Sequence, residues 1–213
     1  SSSSAASDVY KRQGLDRAVR TTNQMLALAR AKDASLAEGG FSLEPVDLVV
    51  LADGVIRSLL PTARARQMDI GLDADPGPLI VPGAEWLLRE AVGNLVDNAI
   101  RYTSPGGTIT VLVRREPGRL RLSVEDSGPG MSAEDIARAG IRFRRGAAGK
   151  NKPGAGLGLA IVGTIAEALG ARLVLENRAP LPGLRASLVF SLEPLADVCL
   201  LYTSDAADEE DSV

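Results

Sequence analysis

Hydrophobic residues recur along this chain with two different spacings. A spacing of three or four residues is typical of amphipathic helices, and strict alternation is typical of half-buried strands. The pattern predicts helices at about 15–32, 47–67, 84–102 and 157–169, and strands at about 68–72, 79–81, 108–114, 119–125, 172–176 and 184–192. Helices and strands mixed in this order indicate one domain of both α and β structure, preceded by a separate helix.

Turn-forming residues separate these elements. A Ser-Pro-Gly-Gly run at 104–107 ends the third helix, and Glu-Pro-Gly at 116–118 has the spacing of a hairpin turn. Asp47 is a candidate N-cap for the second helix. Residues 126–155 are rich in glycine and basic residues and have no regular pattern. A loop of that length inside a domain is usually functional or disordered.

The two ends of the chain share no pattern with the residues between them. A DNA sequence that encodes residues 3–13 (SSAASDVYKRQ) also encodes residues 199–209 (CLLYTSDAADE) when its reverse complement is read in a shifted frame. We therefore expect 1–13 and 198–213 to be translated adapter from a sequencing library, and we exclude them from fold reasoning. Two unrelated disordered tails are the alternative, and native flanks in the source DNA would support it.

Composition excludes several kinds of chemistry. The 213 residues include no histidine and one cysteine, which excludes a His-containing triad, a His-metal site, a disulfide framework and a CxxC zinc site within this sequence. No apolar run approaches the roughly 18–20 residues needed to cross a bilayer. Without the two end segments, 22 basic and 21 acidic residues leave a net charge near +1 instead of −3. Charge therefore gives no support for a nucleic-acid partner or for attraction to a membrane.

The first candidate site lies on the helix at 84–102. Glu90, Asn94 and Asn98 recur every four residues, which confines them to an arc of about 80° on one helical face. A carboxylate and two carboxamides suit Mg²⁺, which prefers oxygen ligands and retains waters, and Glu90 can polarise an attacking group. A solvated helix face without a ligand is the alternative. Arg101 and Tyr102, near the same helix end, can reach phosphate and base or simply cap the helix.

Two glycine-containing segments are the other candidates. Residues 126–131 (DSGPGM) follow an apolar strand, so Asp126 can accept from an exocyclic amine such as that of adenine, or form an ordinary Asx-turn. Residues 154–158 (GAGLG) open the last helix, where backbone N–H groups and the helix dipole favour phosphate. A glycine-rich hinge is the alternative there, and no GK[ST] P-loop is present.

In this order, the three motifs resemble the nucleotide-binding domain of the ATPase superfamily shared by sensor histidine kinases, gyrase, the MutL repair proteins and the Hsp90 chaperones (GHKL, Bergerat fold). The histidine kinase branch is the most similar. Its N box resembles residues 89–103 (REAVGNLVDNAIRYT), its G1 box 126–131 and its G2 box 154–158. Its F box, which precedes a flexible ATP lid, resembles residues 141–146 (IRFRRG), although the stretch 132–140 is shorter and less regular than in the family.

The resemblance implies roles for five residues of the N box. Asn98 would coordinate Mg²⁺, Asn94 would contact Mg²⁺ or phosphate, and Glu90 would support phosphoryl transfer. Arg101 and Tyr102 would contact the nucleotide. Because phosphoryl transfer depends mostly on positioning and charge neutralisation, such groups suffice for the ATP half of the reaction.

The resemblance also implies roles for the glycine-rich segments. Asp126 would bind the adenine amine, and Gly128 and Gly130 would admit the base. The other nucleotide contacts implied are Met131, Phe143, Gly154, Gly156, Leu157 and Gly158. Among these, the glycines of the G2 box would let the lid close over the triphosphate.

The implied fold is α+β, an α/β sandwich in which a mixed sheet has helices packed on one face. Residues 14–40 would form the second helix of a dimerisation hairpin, and residues 44–195 the catalytic ATP-binding domain. The implied activity is that of a protein histidine kinase, in which the γ-phosphate of ATP passes to a histidine on the first hairpin helix. An aspartate in the receiver domain of a response regulator would then accept it. The histidine should lie upstream of Gly14, so this chain alone should not phosphorylate itself.

A homodimer is further implied for the full-length protein, with this domain in the cytoplasm and upstream segments in the bacterial inner membrane. Nucleic acid is not an expected partner. The alternatives are an ATP-gated clamp like MutL, gyrase or Hsp90, an anti-sigma serine kinase, or a nucleotide-binding module without transfer chemistry. The helix at 15–32 argues against the first two. The intact Glu90, Asn94, Asn98 and Asp126 argue against the third.

Overall fold

A computed structural model describes residues 42–137 and 158–192. The domain expected at 44–195 is therefore described except for 138–157 and 193–195. The helix expected at 15–32 and both end segments lie outside the described residues. So do four of the expected nucleotide contacts, Phe143, Gly154, Gly156 and Leu157.

The described residues form seven strands and four helices. In chain order these are β1 (Glu44–Asp47), α1 (Leu48–Ala65), β2 (Asp69–Ala74), β3 (Ile80–Gly83), α2 (Glu85–Tyr102), β4 (Thr108–Glu116), β5 (Arg119–Asp126), α3 (Ala133–Ala137), α4 (Gly158–Ala168), β6 (Ala171–Asn177) and β7 (Leu184–Ser191). Every helix and strand expected within this part of the chain is present, with ends that differ by no more than two residues.

Two short elements, β1 and α3, are absent from the sequence-based prediction. β1 has four residues, includes Pro45, and forms by antiparallel pairing with β3, in which Val46 is opposite Val81. Four residues are too few for alternation to show. α3 has five residues within the stretch expected to be irregular, and it begins after Ser132, whose Oγ accepts from Asp135 N at 3.0 Å. Such a bond is typical of a helix N-terminus.

The main sheet has the strand order β2-β4-β5-β7-β6. The pair β2–β4 is parallel and the other three pairs are antiparallel, so the expected mixed sheet is confirmed. Alternate residues of these strands, such as Val111, Leu122 and Leu188, belong to the same buried core as Leu87 of α2 and Ile161 of α4. Because one face of each strand carries these core residues, the helices form a layer on one face of the sheet.

The start of α1 confirms the N-cap predicted at Asp47. Its Oδ1 accepts from Val49 N at 2.8 Å and from Val50 N at 3.3 Å. These two N–H groups have no partner within the helix, and a capping carboxylate satisfies them. At the other end of α1, Gln67 adopts a positive φ of 56°, and the chain then enters β2 at the edge of the sheet.

Candidate functional site

Glu90, Asn94 and Asn98 occupy one face of α2 at four-residue intervals. Asn94 Nδ2 donates to Glu90 Oε1 and to Glu90 O, each at 2.9 Å. Asn94 is only 7% exposed, whereas Glu90 and Asn98 are half-buried. Because Nδ2 donates to Glu90, Oδ1 is the acceptor atom of the Asn94 amide. The three side chains thus form a short row of oxygen-containing groups along the helix.

The start of α4 lies against this row. A Cβ added at Gly158, the first residue of α4, would lie 3.0 Å from Asn98 Nδ2 and 3.2 Å from Asn98 Oδ1. The first N–H groups of a helix lack partners within it, and the helix dipole favours negative charge there. The N box and the last glycine of the G2 box therefore meet, although they are far apart in the sequence.

Asp126, the last residue of β5, is 7% exposed. Its Oδ1 accepts from Gly128 N at 2.8 Å and from Leu184 N at 3.3 Å. Burial raises the pKa of the Asp126 carboxyl, and these two N–H groups together with the charge of Arg178 act in the opposite direction. The bond from Gly128 is the Asx-turn expected as the alternative interpretation. It uses one of the two carboxylate oxygens.

The loop after Asp126 is packed directly on the end of α2. A Cβ at Gly128 would lie 2.9 Å from Asp126 Oδ1 and 3.3 Å from Tyr102 O. Gly130 has a φ of 72°, which favours glycine, and a Cβ there would lie 2.6 Å from Asn177 Oδ1. Both glycines are therefore required by close approach, and the first joins the G1 box to the N box.

Arg101 and Tyr102 lie in the last turn of α2, beside this junction. Arg101 Nη2 is 2.5 Å from Asp97 Oδ2, one turn earlier on the helix, and both side chains are half-buried. Tyr102 is the last helical residue and is half-buried. The structure thus brings Asn98, Arg101, Tyr102 and the Asp126 loop to one end of α2. Met131 ends that loop and is half-buried.

Sequence reasoning missed the segment 177–184, between β6 and β7, which holds the Asp126 loop. Asn177 Oδ1 accepts from Met131 N at 2.8 Å, and Asn177 Nδ2 donates to Met131 O at 2.7 Å. Arg178 Nη1 donates to Asp126 O at 2.9 Å. Gly183, with a φ of 132°, is so close that a Cβ there would lie 1.8 Å from Asp126 O. Only the glycine at 183, within a Pro- and Gly-containing turn, offered a sequence signal.

Sequence reasoning also missed Arg66, which follows α1 and caps the end of α2. Its Nη1 donates to Ile100 O at 2.6 Å, and its Nη2 donates to Thr103 O at 3.0 Å. Carbonyls at a helix C-terminus lack partners within the helix, and a cation there is favoured by the dipole. Arg66 therefore fixes the turn that carries Arg101 and Tyr102. The two groups are 34 residues apart, so no local pattern connects them.

The oxygen-containing groups along this face of α2 suit a magnesium-bound phosphate. Within 42–137 and 158–192, no three His, Cys, Asp or Glu side chains are grouped as a metal site. A carboxylate with two carboxamides is instead suited to Mg²⁺ that retains waters and takes its other ligands from phosphate.

In the described ranges 42–137 and 158–192, no helix is long and apolar enough to cross a membrane.

Comparison with known families gives one match that covers more than half of the chain. The family described as histidine kinase-, DNA gyrase B-, and HSP90-like ATPase matches residues 83–194. That range includes α2, the Asp126 loop, the start of α4 and the segment 177–184. All residues of the site except Arg66 therefore lie within the matched range.

A curated relative is the sensor protein kinase PmrB of Pseudomonas aeruginosa. It is 36% identical to this chain over 155 residues, which cover 73% of this chain and 31% of PmrB. The chain thus spans about a third of the length of this relative. Because this and other relatives are sensor kinases, the alternatives of an ATP-gated clamp and an anti-sigma serine kinase are not favoured.

Solved structures agree with the fold. The mycobacterial sensor histidine kinase MprB is 33% identical, with a TM-score of 0.62, and the match covers 70% of this chain and 97% of that one. Histidine kinase ThkA in complex with response regulator protein TrrA is 24% identical, with a TM-score of 0.60, and the match covers 70% of this chain and 41% of ThkA. The second likeness shows the fold alone. The α/β sandwich expected from the sequence is confirmed.

Proposed function

Since the chain belongs to the family of histidine kinase-, DNA gyrase B- and HSP90-like ATPases, and within it to the catalytic domains of sensor histidine kinases, we propose that it binds ATP with Mg²⁺ and phosphorylates a histidine. The imidazole nitrogen of that histidine attacks the γ-phosphorus, the bond to the β–γ bridging oxygen breaks, and ADP leaves. A response regulator aspartate then takes the phosphoryl group from the histidine.

The contact between Asn98 and Gly158 is the observation that carries this proposal. It brings the Asn98 amide to the start of α4, because a Cβ at Gly158 would lie 3.0 Å from Asn98 Nδ2 and 3.2 Å from Asn98 Oδ1. Each feature alone has a structural explanation. Together they combine a magnesium ligand with a phosphate-binding helix start, which is what a nucleoside triphosphate requires.

We assign the recognition of adenine to the other side of this junction. Both backbone bonds to Asp126 end on Oδ1, so Oδ2 is assigned to the exocyclic amine of the base. Gly128 and Gly130 would admit the base by letting the loop pack closely on its neighbours, and Tyr102 and Met131 would border the ring. A buried carboxylate is selective because a base that presents an acceptor instead of an amine leaves it without a partner.

We assign the phosphate side to α2 and α4. Asn98 and Asn94 would hold Mg²⁺, which supplies neutralisation of phosphate charge, and Glu90 would orient the acceptor. The hydrogen bond from Asn94 Nδ2 to Glu90 fixes both side chains before nucleotide binds. Arg101, Phe143 and Leu157 would contact the nucleotide, and Gly154, Gly156 and Gly158 would let the lid close over the triphosphate.

The chain contains no histidine, so the acceptor would lie in another segment or in another chain. We propose that it lies on a two-helix hairpin, that 14–40 is the second helix of that hairpin, and that the full-length protein is a homodimer. A response regulator receiver domain is the proposed partner. The full-length protein is proposed to lie in the bacterial inner membrane, with this domain on the cytoplasmic side.

Phosphoryl transfer in trans tests this function. The chain alone, with γ-labelled ATP and Mg²⁺, should acquire no acid-labile label, whereas addition of a related kinase's histidine hairpin should yield label on that hairpin. A hairpin with its histidine replaced by alanine is the control. Label on the chain itself, or no label on the hairpin over a range of concentrations in which the chain binds ATP, would contradict the proposal.

A further inference from the structure

Asn177, the last residue of β6, and Arg178, which follows it, hold the two ends of the Asp126–Met131 loop. We call this pair the β6 clamp. In the sequence, Asn177 is 46 residues from Met131, and Arg178 is 52 residues from Asp126. Neither side chain belongs to the motifs predicted from the sequence, and neither is assigned a nucleotide contact.

Asn177 holds the end of the loop with both atoms of its amide. It accepts from Met131 N at 2.8 Å and donates to Met131 O at 2.7 Å, so one side chain binds the donor and the acceptor of one peptide residue. A carboxylate cannot donate, and an apolar side chain can do neither. The pairing is therefore specific to a carboxamide of this length.

Arg178 holds the beginning of the loop. Its Nη1 donates to Asp126 O at 2.9 Å, and its Nε lies 3.1 Å from Glu125 Oε2, an ion pair in which both side chains are largely buried. Between these two anchors the loop contains Gly128 and Gly130. Glycines give a loop many accessible conformations, and fixing one of them costs conformational entropy. The anchors reduce that cost before nucleotide arrives.

We propose that Asn177 is a positioning residue for nucleotide binding, which acts by keeping the Asp126–Met131 loop in the conformation that admits the base. This rests on the proposed function. When only a fraction of molecules has the competent loop, the apparent affinity falls by that fraction, while the bound complex is unchanged. Loss of the clamp should therefore raise the ATP concentration needed for half-saturation without slowing the reaction of the saturated enzyme.

The test compares Asn177→Ala with Arg172→Ala, an exposed residue near the start of the same strand. Asn177→Ala should raise KM for ATP about five- to tenfold in the transfer reaction and leave kcat within about twofold of the wild type. Arg172→Ala should change neither. Hydrogen exchange of peptides covering 127–137 should rise in Asn177→Ala, and saturating MgATP should restore the protection.

A second variant tests the same contact from the loop side. A Cβ at Gly130 would lie 2.6 Å from Asn177 Oδ1, so Gly130→Ala should raise KM by breaking the same pairing. The double variant should lose less than the sum of the two single losses, because both changes break the same pairing, and the additional loss from Gly130→Ala reports the strain of alanine at a positive φ.

The outcomes separate this inference from the proposed function. If the wild-type chain binds no ATP, both fail. If it binds ATP and Asn177→Ala has the KM of Arg172→Ala, the positioning role is wrong and the proposed function stands. A fall in kcat at unchanged KM, or a loss of global folding in Asn177→Ala without a change of KM in the folded fraction, would also overturn the inference.

Discussion

The two halves of the candidate site are built in different ways. The phosphate half takes Glu90, Asn94 and Asn98 from one helix, where a spacing of four residues alone puts them on one face. The adenine half takes Asp126 and a glycine-containing loop, held by residues 46 to 58 positions away. The first half depends on local geometry, and the second depends on the tertiary structure that surrounds it.

This difference determines where substitutions will matter. α2 is packed into the core through Leu87, Leu88 and Leu95. Its polar face therefore stays in position as long as the domain is folded. The loop has no comparable apolar anchor among the described residues and relies on hydrogen bonds and close backbone contacts. Distant changes should therefore disturb the adenine half more than the phosphate half.

The largest effect is expected from Gly183→Ala. Gly183 has a φ of 132°, and a Cβ there would lie 1.8 Å from Asp126 O, a backbone atom that cannot move alone. The free energy of unfolding should fall by more than about 3 kcal/mol, as measured by urea denaturation, because overlap and backbone strain add. A loss below about 1 kcal/mol would mean that the loop is not held as the structure shows.

The matched change in the other half is Gly93→Ala, which should have the opposite sign. Gly93 is in α2, and an added Cβ would have nothing within 4 Å. Alanine should stabilise the helix by about 0.5–1 kcal/mol in the same denaturation experiment. Destabilisation by Gly93→Ala would indicate that the helical half is as constrained as the loop.

Asp126→Asn should make the fold more stable at neutral pH while it weakens nucleotide binding. Burial raises the pKa of Asp126 in the folded protein. The protonated carboxyl therefore stabilises the fold below the unfolded pKa of about 3.9, and this stabilisation is lost as pH rises through the folded pKa. Asparagine retains an Oδ1 acceptor for Gly128 and Leu184 and carries no charge. By pH 7 the variant should exceed the wild type by about 1 kcal/mol in denaturation.

Glu116→Gln is the control for that pH dependence. Arg121, followed by Arg119, lowers the pKa of Glu116, so its contribution is present above the unfolded pKa and is lost as pH falls through the folded value. Relative to wild type, Glu116→Gln should therefore lose stability as pH rises from acid to neutral. The same sign of pH dependence in both variants would contradict the account of Asp126.

The same contrast explains what the sequence could predict. Among the described residues, periodicity located the three longer helices and every strand except β1, and the four-residue spacing was enough to place Asn94 and Asn98 on one face of α2. The roles of Asn177, Arg178 and Arg66 could not be predicted, because each acts on backbone atoms of a segment 34 to 52 residues away. β1 was not predicted, because its pairing with β3, and not its own hydrophobic pattern, makes it a strand.

Calorimetric titration of MgATP into the wild-type chain, Asp126→Asn and Asn98→Ala tests most directly that both halves bind one nucleotide. Each variant should lose about 1–3 kcal/mol of binding free energy, which is the cost of an unpaired buried polar partner. For Asn98→Ala the loss should depend on Mg²⁺, and for Asp126→Asn it should persist without Mg²⁺. Unchanged affinity in both variants would contradict the assignment of this site.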